Sequence, residues 1–175
     1  MSSLAKGFIL HGSQWSYRIL RPLPASESQA TALFKAKVIP KDYTPGTSSG
    51  GPQLPKWAII KIASPSNENS MTLNRELKAY SFPTVATSQC FRKLYDILDF
   101  RTTAWECLDT TLAEVEYQLD PSTYSLILDF LKATLESCIL LEDLSYANAD
   151  IQPSNILISN LNTDNITVKV GNLGI

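Results

Sequence analysis

Asp150 and Asn155 are separated by a proline-bearing turn in Asn148-Ala149-Asp150-Ile151-Gln152-Pro153-Ser154-Asn155, and the aliphatic Ile156-Leu157-Ile158 follows at once. A loop of this shape, running into a strand, aims both side chains into one small volume. A carboxylate held there takes a proton from a hydroxyl. An amide oxygen beside it ligates magnesium, a hard cation that prefers oxygen donors. A polar turn ahead of a strand offers the same residue types, so the weight of the pair depends on what else the chain supplies. Lys61 is a second chemical signal: it stands alone in the apolar run Trp57-Ala58-Ile59-Ile60-Lys61-Ile62-Ala63. Buried lysines are rare without a partner, so this one requires a neutralising group. His11 is the only histidine, which excludes a histidine-based triad and a His-rich metal site.

The elements that must position these residues are legible in order. Residues 16–22, 30–39 and 57–63 read as strands, rich in aliphatic, aromatic or β-branched residues and bounded by Pro or Ser. Between the second and third, residues 40–56 hold four prolines and three glycines, the composition of a surface loop. A helix is expected from about Ser70 to Tyr80, capped by Ser70 or Thr72, with Leu73, Leu77 and Tyr80 on one face and Pro83 closing the segment. Residues 91–98 and 101–107 read as two further strands, the first of them equally readable as helix, and 109–118 as a short helix.

Asp120-Pro121 then opens the strongest helix, with Asp as N-cap and Pro at the first helical position. Over 121–142 its apolar stripe runs through Tyr124, Leu128, Leu131, Leu135, Cys138 and Ile139, with Ile127 and Leu141 alongside, a pattern suited to burial. Strands near 156–159 and 166–171 complete the chain.

A length of 175 residues with 44% hydrophobic and 18% charged content describes one ordinary globular domain. A formal net charge of −2 gives no field to attract nucleic acid or anionic membrane, so neither is expected as a partner. Cys90, Cys107 and Cys138 are odd in number, lie in apolar contexts and have no metal spacing, which reads as buried thiols in a reducing compartment. The apolar patch Phe8-Ile9-Leu10 is too short for a signal-peptide core or a membrane span. A cytoplasmic or nuclear location is the resulting expectation.

Asp150-x-x-x-x-Asn155 resembles the His-Arg-Asp-x-x-x-x-Asn catalytic loop of eukaryotic protein kinases. The order of elements resembles the same family from about Tyr17 to Gly174. The implied fold is α+β: a five-stranded small lobe with one helix, then the first part of a large lobe (long helix, catalytic loop, two-strand ribbon), truncated. The implied division is an N-terminal extension at 1–15, a small lobe and hinge at 16–108, and a partial large lobe at 109–175. The resemblance makes Asp150 the catalytic base and pairs Lys61 with Glu76. It places an adenine against the backbone of Glu106 and Leu108, with Trp105 as gatekeeper, and gives Asn155 and Asn172 to magnesium.

The departures from that pattern carry as much information. The turn matching the family's Gly-x-Gly-x-x-Gly loop is Leu23-Pro24-Ala25-Ser26-Glu27-Ser28-Gln29-Ala30, which has no glycine and adds a negative charge. Ile59 stands where the family roofs the adenine with alanine. In the loop, Asn148 and Ala149 replace its His and Arg, and Gln152 replaces the lysine of serine/threonine kinases. Gly171-Asn172-Leu173-Gly174 resembles Asp-Phe-Gly with an amide in place of the magnesium-binding carboxylate. The sequence ends one residue after Gly174, with no activation segment and none of the later helices of the large lobe.

These features imply a pseudokinase acting as a protein-binding module, with ATP and magnesium bound weakly or not at all. The partner would be an unidentified protein or a second copy, held by the helix face at 121–142. Two alternatives stand beside it: a minimal ATP-dependent phosphotransferase acting on protein or a small molecule, and a kinase fragment with no independent role.

Overall fold

Alternation builds the first sheet. Tyr17 and Ile19 in β2 (Trp15–Leu23), Phe34, Ala36 and Val38 in β3 (Thr31–Pro40), and Ala58 and Ile60 in β4 (Trp57–Ala63) are all buried in one cluster. The intervening Arg18 and Lys37 are exposed on the other face, as a period of two requires. The computed structural model describes the chain apart from residues 1–3, 25–30, 42–53, 65–66, 117–120, 162, 164 and 174–175, with 67–70 and 121–122 described at the level of the backbone. The described chain is mixed α+β and forms two compact units, one of residues 1–73 with 94–107, the other of 74–93 with 108–175.

In the first unit, β1 (Ile9–His11), β5 (Leu94–Asp99) and β6 (Thr102–Glu106) join the three strands above in one antiparallel sheet of order β1-β2-β3-β4-β6-β5. The sheet therefore has six strands where five were expected. The extra one lies within the segment read as an N-terminal extension: Leu10 pairs with Tyr17 and Ile9 with Arg18, adding an edge.

A buried carboxylate fixes the turn between β1 and β2. Asp96, in β5, is 3% exposed. It accepts hydrogen bonds from the backbone N–H groups of Ser13 (2.9 Å), Gln14 (3.2 Å) and Trp15 (3.4 Å) and from the hydroxyls of Ser13 and Tyr17, the latter at 2.5 Å. Burial alone would raise the Asp96 carboxyl. The donors from Ser13, Tyr17 and Gln14 outweigh it and hold the group below the ordinary carboxylate value. Burial and the adjacent carboxylate push the Tyr17 phenol well up. Gly12 lies so close to Asp96 that a Cβ there would collide with the carboxylate.

The second unit holds the later helices and a smaller sheet, and the first helix divides between the two units at Leu73. Helix α1 (Asn67–Tyr80) starts three residues earlier than expected, so neither Ser70 nor Thr72 caps it. Pro83 opens rather than closes a segment: it is the first residue of α2 (Pro83–Thr87), where its missing N–H costs nothing. The short helix expected at 109–118 is instead strand β7 (Thr110–Thr111) and a single 3-10 turn, Leu112–Glu114, closed by a capping box between Thr111 and Glu114. With β8 (Ile156–Ser159) and β9 (Thr167–Val170), β7 makes a three-stranded sheet of order β7-β8-β9 rather than a two-strand ribbon.

Helix α3 (Pro121–Glu142) packs against β9. The Asp120 cap lies outside the described residues. Leu126, Ala133, Ser137 and Leu141 form its buried face, and the small residues at 133 and 137 allow close approach. The stripe expected to present an uncovered apolar face does so: Tyr124, Leu128, Leu131, Leu135 and Ile139 are exposed, as is Cys138. The helix is apolar around most of its circumference, so spacing alone does not select the covered side. Leu141, read as part of that stripe, belongs to the opposite, buried face. Of the three thiols read as buried, Cys90 is buried, Cys107 half-buried and Cys138 exposed. No helix among the described residues is long and apolar enough to cross a membrane.

Candidate functional site

The loop at 148–155 is shaped by its own side chains. Asn148 Oδ1 accepts the backbone N–H of Asp150 at 3.0 Å, a turn that Asn favours because its side chain mimics a backbone carbonyl. Gln152 is extended, and Pro153 starts a one-turn 3-10 helix, Pro153–Asn155, in which the Asn155 N–H bonds to the Gln152 carbonyl at 2.8 Å. That turn brings Asn155 back beneath Asp150 and buries it to 5% exposure. The five-residue spacing works as expected from sequence: the two side chains meet.

Their contact has one chemically permitted sense. A carboxylate only accepts, so the Asn155 amide presents Nδ2 to Asp150, at 2.7 Å from Oδ2 and 3.0 Å from the Asp150 carbonyl. Asn155 Oδ1 is thereby turned toward Asn172, which donates Nδ2 to it at 3.2 Å. The other carboxylate oxygen, Asp150 Oδ1, accepts Nε2 of Gln152 at 2.6 Å. Both oxygens of Asp150 are thus engaged by amides of its own loop.

Backbone geometry places Asn172. The Gly171 N–H bonds to the Asn155 carbonyl at 2.8 Å, which ties the end of β9 to the loop. A Cβ on Gly171 would sit 2.8 Å from Leu157 Cδ1, so a larger residue there would push the end of that leucine aside. Asn172 then adopts a left-handed conformation (φ 54°), which asparagine tolerates better than most residues. Next in the chain, the Leu173 N–H donates to Glu76 Oε1 at 3.3 Å. Glu76, in α1, is 3% exposed and so has a specific backbone partner within its own unit.

The second unit therefore brings together Asp150, Asn155 and Asn172, with Glu76 one residue further along the chain of contacts. Leu108 lies in the same unit, half-buried and just ahead of β7. Lys61 and Glu106 belong to the first unit: Lys61 is half-buried in β4, in register with Leu33 and Thr103, and Glu106 is the last residue of β6. Trp105 is buried, and its indole N–H bonds to the Thr103 hydroxyl at 2.7 Å. Most of the turn expected to face phosphates, 25–30 with Glu27, lies outside the described residues, as does Gly174.

Two polar residues of comparable standing were not singled out from sequence. Lys169 in β9 is 3% exposed, between the buried Val168 and Val170. Its signal in the sequence was the one that marked Lys61, a lone lysine among β-branched apolar residues. Asp96 gave no such signal, because every donor that surrounds it is remote in sequence.

The oxygen donors at the loop are one carboxylate, Asp150, and the amide oxygens of Asn155 and Asn172, of which Asn155 Oδ1 already accepts from Asn172. Among the described residues no three His, Cys, Asp or Glu side chains gather where they would hold a metal ion. Magnesium favours carboxylate oxygens and an open octahedral shell, so this cluster fits it poorly. It is a hydrogen-bonded network suited to fixing loop shape. No protein-family model matches the chain, and no curated protein is significantly similar to it.

Proposed function

We propose that this chain is a protein-kinase-like domain impaired in phosphoryl transfer, and that it works as a protein-binding module through the outer face of α3. The observation that carries the first half is the state of Asp150. A general base must offer an oxygen to the hydroxyl it deprotonates, and each Asp150 oxygen already accepts one amide, from Gln152 or Asn155, which lowers its basicity while leaving a second lone pair. Asn172 supplies an amide where the family pattern has a carboxylate, and Ile59 is larger than the roofing alanine. Removing one such electrostatic element typically lowers a rate by about 10²–10³, so several together leave little activity. Support for the second half is the row of exposed apolar side chains along α3.

Thermal shift with ATP, in the presence and absence of magnesium, tests this reading. The expected outcome is no magnesium-dependent shift. Low-micromolar binding of magnesium-ATP by calorimetry would overturn the impairment.

The convergence of Asp150, Asn155 and Asn172 favours one alternative, a minimal ATP-dependent phosphotransferase. It requires the second lone pair of an Asp150 oxygen to face the substrate hydroxyl. Magnesium-dependent hydrolysis or transfer that disappears in Asp150→Asn would select it.

A further inference from the structure

Two pairs of like charges face each other across β2 and β3. Arg18 stands opposite Lys37, and Arg21 opposite Lys35, on the side of the sheet away from the buried cluster. Arg18, Arg21 and Lys37 are exposed and Lys35 is half-buried. A bulge makes the second pair. The register shifts between Ile19 and Arg21, which turns Arg21 outward, level with Lys35, where unbroken alternation would have sent it into the core. Like charges directly opposite one another destabilise a sheet, and β1 to β4 contain no Asp or Glu to offset them. The row ends on the half-buried Trp57, which pairs with Lys37. Lys35 Nζ and Lys56 Nζ lie 5.3 and 5.2 Å from its ring centre. The whole-chain charge of −2 averages over this asymmetry. The first unit carries nine Lys and Arg against six Asp and Glu, the second six against eleven.

We infer that this face binds single-stranded nucleic acid, with Arg18, Arg21, Lys35 and Lys37 on its phosphates and Trp57 against a base. The inference goes beyond the binding-module reading and does not rest on it. Neighbours on one face of a strand lie about 6.6–6.8 Å apart, and paired strands about 4.7–4.9 Å. The four cations therefore form one compact block. A backbone with a negative charge on every nucleotide relieves both repelling pairs at once, and the planar fork of arginine matches phosphate geometry. The tryptophan at the border of the block decides among anions. Single strands are held by a cationic track beside an aromatic ring on which bases stack. A base on Trp57 takes the place of the lysine heads and releases them to phosphates. An acidic peptide has no base to stack there, and a duplex keeps its bases within its own stack. An anionic membrane satisfies the cations but makes no use of a tryptophan half-buried beneath two lysine heads.

Fluorescence anisotropy of a labelled single strand of about 12 nucleotides, titrated with the whole chain over a salt series, tests the inference. Saturable binding is expected. The logarithm of the binding constant should fall against that of salt with a slope of about −2.8, from about −0.7 for each of four neutralised phosphates. Arg18→Gln with Lys37→Gln should move the slope to about −1.4. Because it removes a repelling pair, that variant should melt no lower than the parent. Trp57→Leu should weaken binding by about fivefold or more at unchanged slope, and should lessen the quenching of tryptophan emission by the strand. If Trp57→Leu fails to fold, the paired Gln variant decides alone. No binding at about 50 mM salt, or a slope unmoved by the paired Gln variant, would overturn the inference. So would a duplex of the same length, phosphatidylserine vesicles or poly-glutamate bound as tightly as the single strand.

Discussion

Asn155 donates one amide nitrogen to both the carboxylate and the carbonyl of Asp150, at 2.7 and 3.0 Å, while its oxygen accepts from Asn172. A single buried side chain thus bridges the loop to the segment after β9. Asn155→Ala strands acceptors on one side and a donor on the other. The expected loss is about 1–3 kcal/mol. Gln152→Ala removes a bond of an exposed side chain and should cost less than about 0.5 kcal/mol. Urea unfolding of the two variants measures the difference, and equal losses would mean that the bridge is not what holds the loop.

Asn172→Asp tests the chemistry of the same cluster. A carboxylate there has no N–H to donate and faces Asn155 Oδ1 with a second acceptor. The variant should be less stable than the parent by about 1–3 kcal/mol. If the site accepted magnesium, the ion would reverse that loss. The expected result is no rescue by millimolar magnesium and no gain of phosphoryl transfer, read by melting temperature and product formation.

Asp96 should make the protein sensitive to acid. Its folded pKa is lowered, so its contribution is fully present above the unfolded value of about 3.9 and is lost as pH falls through the folded value. Asp96→Asn should be less stable at neutral pH by about 1–3 kcal/mol. Below about pH 5 its stability should fall less steeply than the parent's. Melting curves across pH 3–7 provide the comparison, and parallel profiles would exclude Asp96 as a source of the acid loss.

Two glycines should respond differently to the same substitution. Gly12→Ala drives a methyl into the Asp96 carboxylate and should cost about 1–3 kcal/mol, as overpacking does. Gly7 has nothing within 4 Å of a Cβ, but its φ is 89°, so Gly7→Ala bears backbone strain alone, about 1 kcal/mol. Chemical denaturation ranks them, and a larger loss at Gly7 would contradict the crowding at Gly12.

What the sequence revealed depended on distance along the chain. Asp150 and Asn155 sit five residues apart, so a single turn suffices to join them and the pairing was legible. Strands β2, β3, β4 and β6 were legible from their aliphatic, aromatic and β-branched content and from bounding Pro or Ser, whereas the segment of β5 read equally as helix. The edge strand at Ile9–His11 was missed because three residues carry too little pattern. The spacing in α3 showed which residues share a face, but not which face the rest of the unit covers. Asp96 was invisible because its meaning lies in donors 79–83 residues upstream.

That remoteness sets an order of events during synthesis. The turn between β1 and β2 is near the start of the chain, yet the carboxylate that satisfies its three backbone N–H groups emerges more than 80 residues later. At about 5–20 residues per second, the first hairpin waits on the order of several seconds without its anchor. During that interval β1 is an unprotected strand edge on a nascent chain. Arrest-peptide force profiles should show the hairpin closing only after residue 96 has cleared the ribosome, and in Asp96→Asn that late signal should fade.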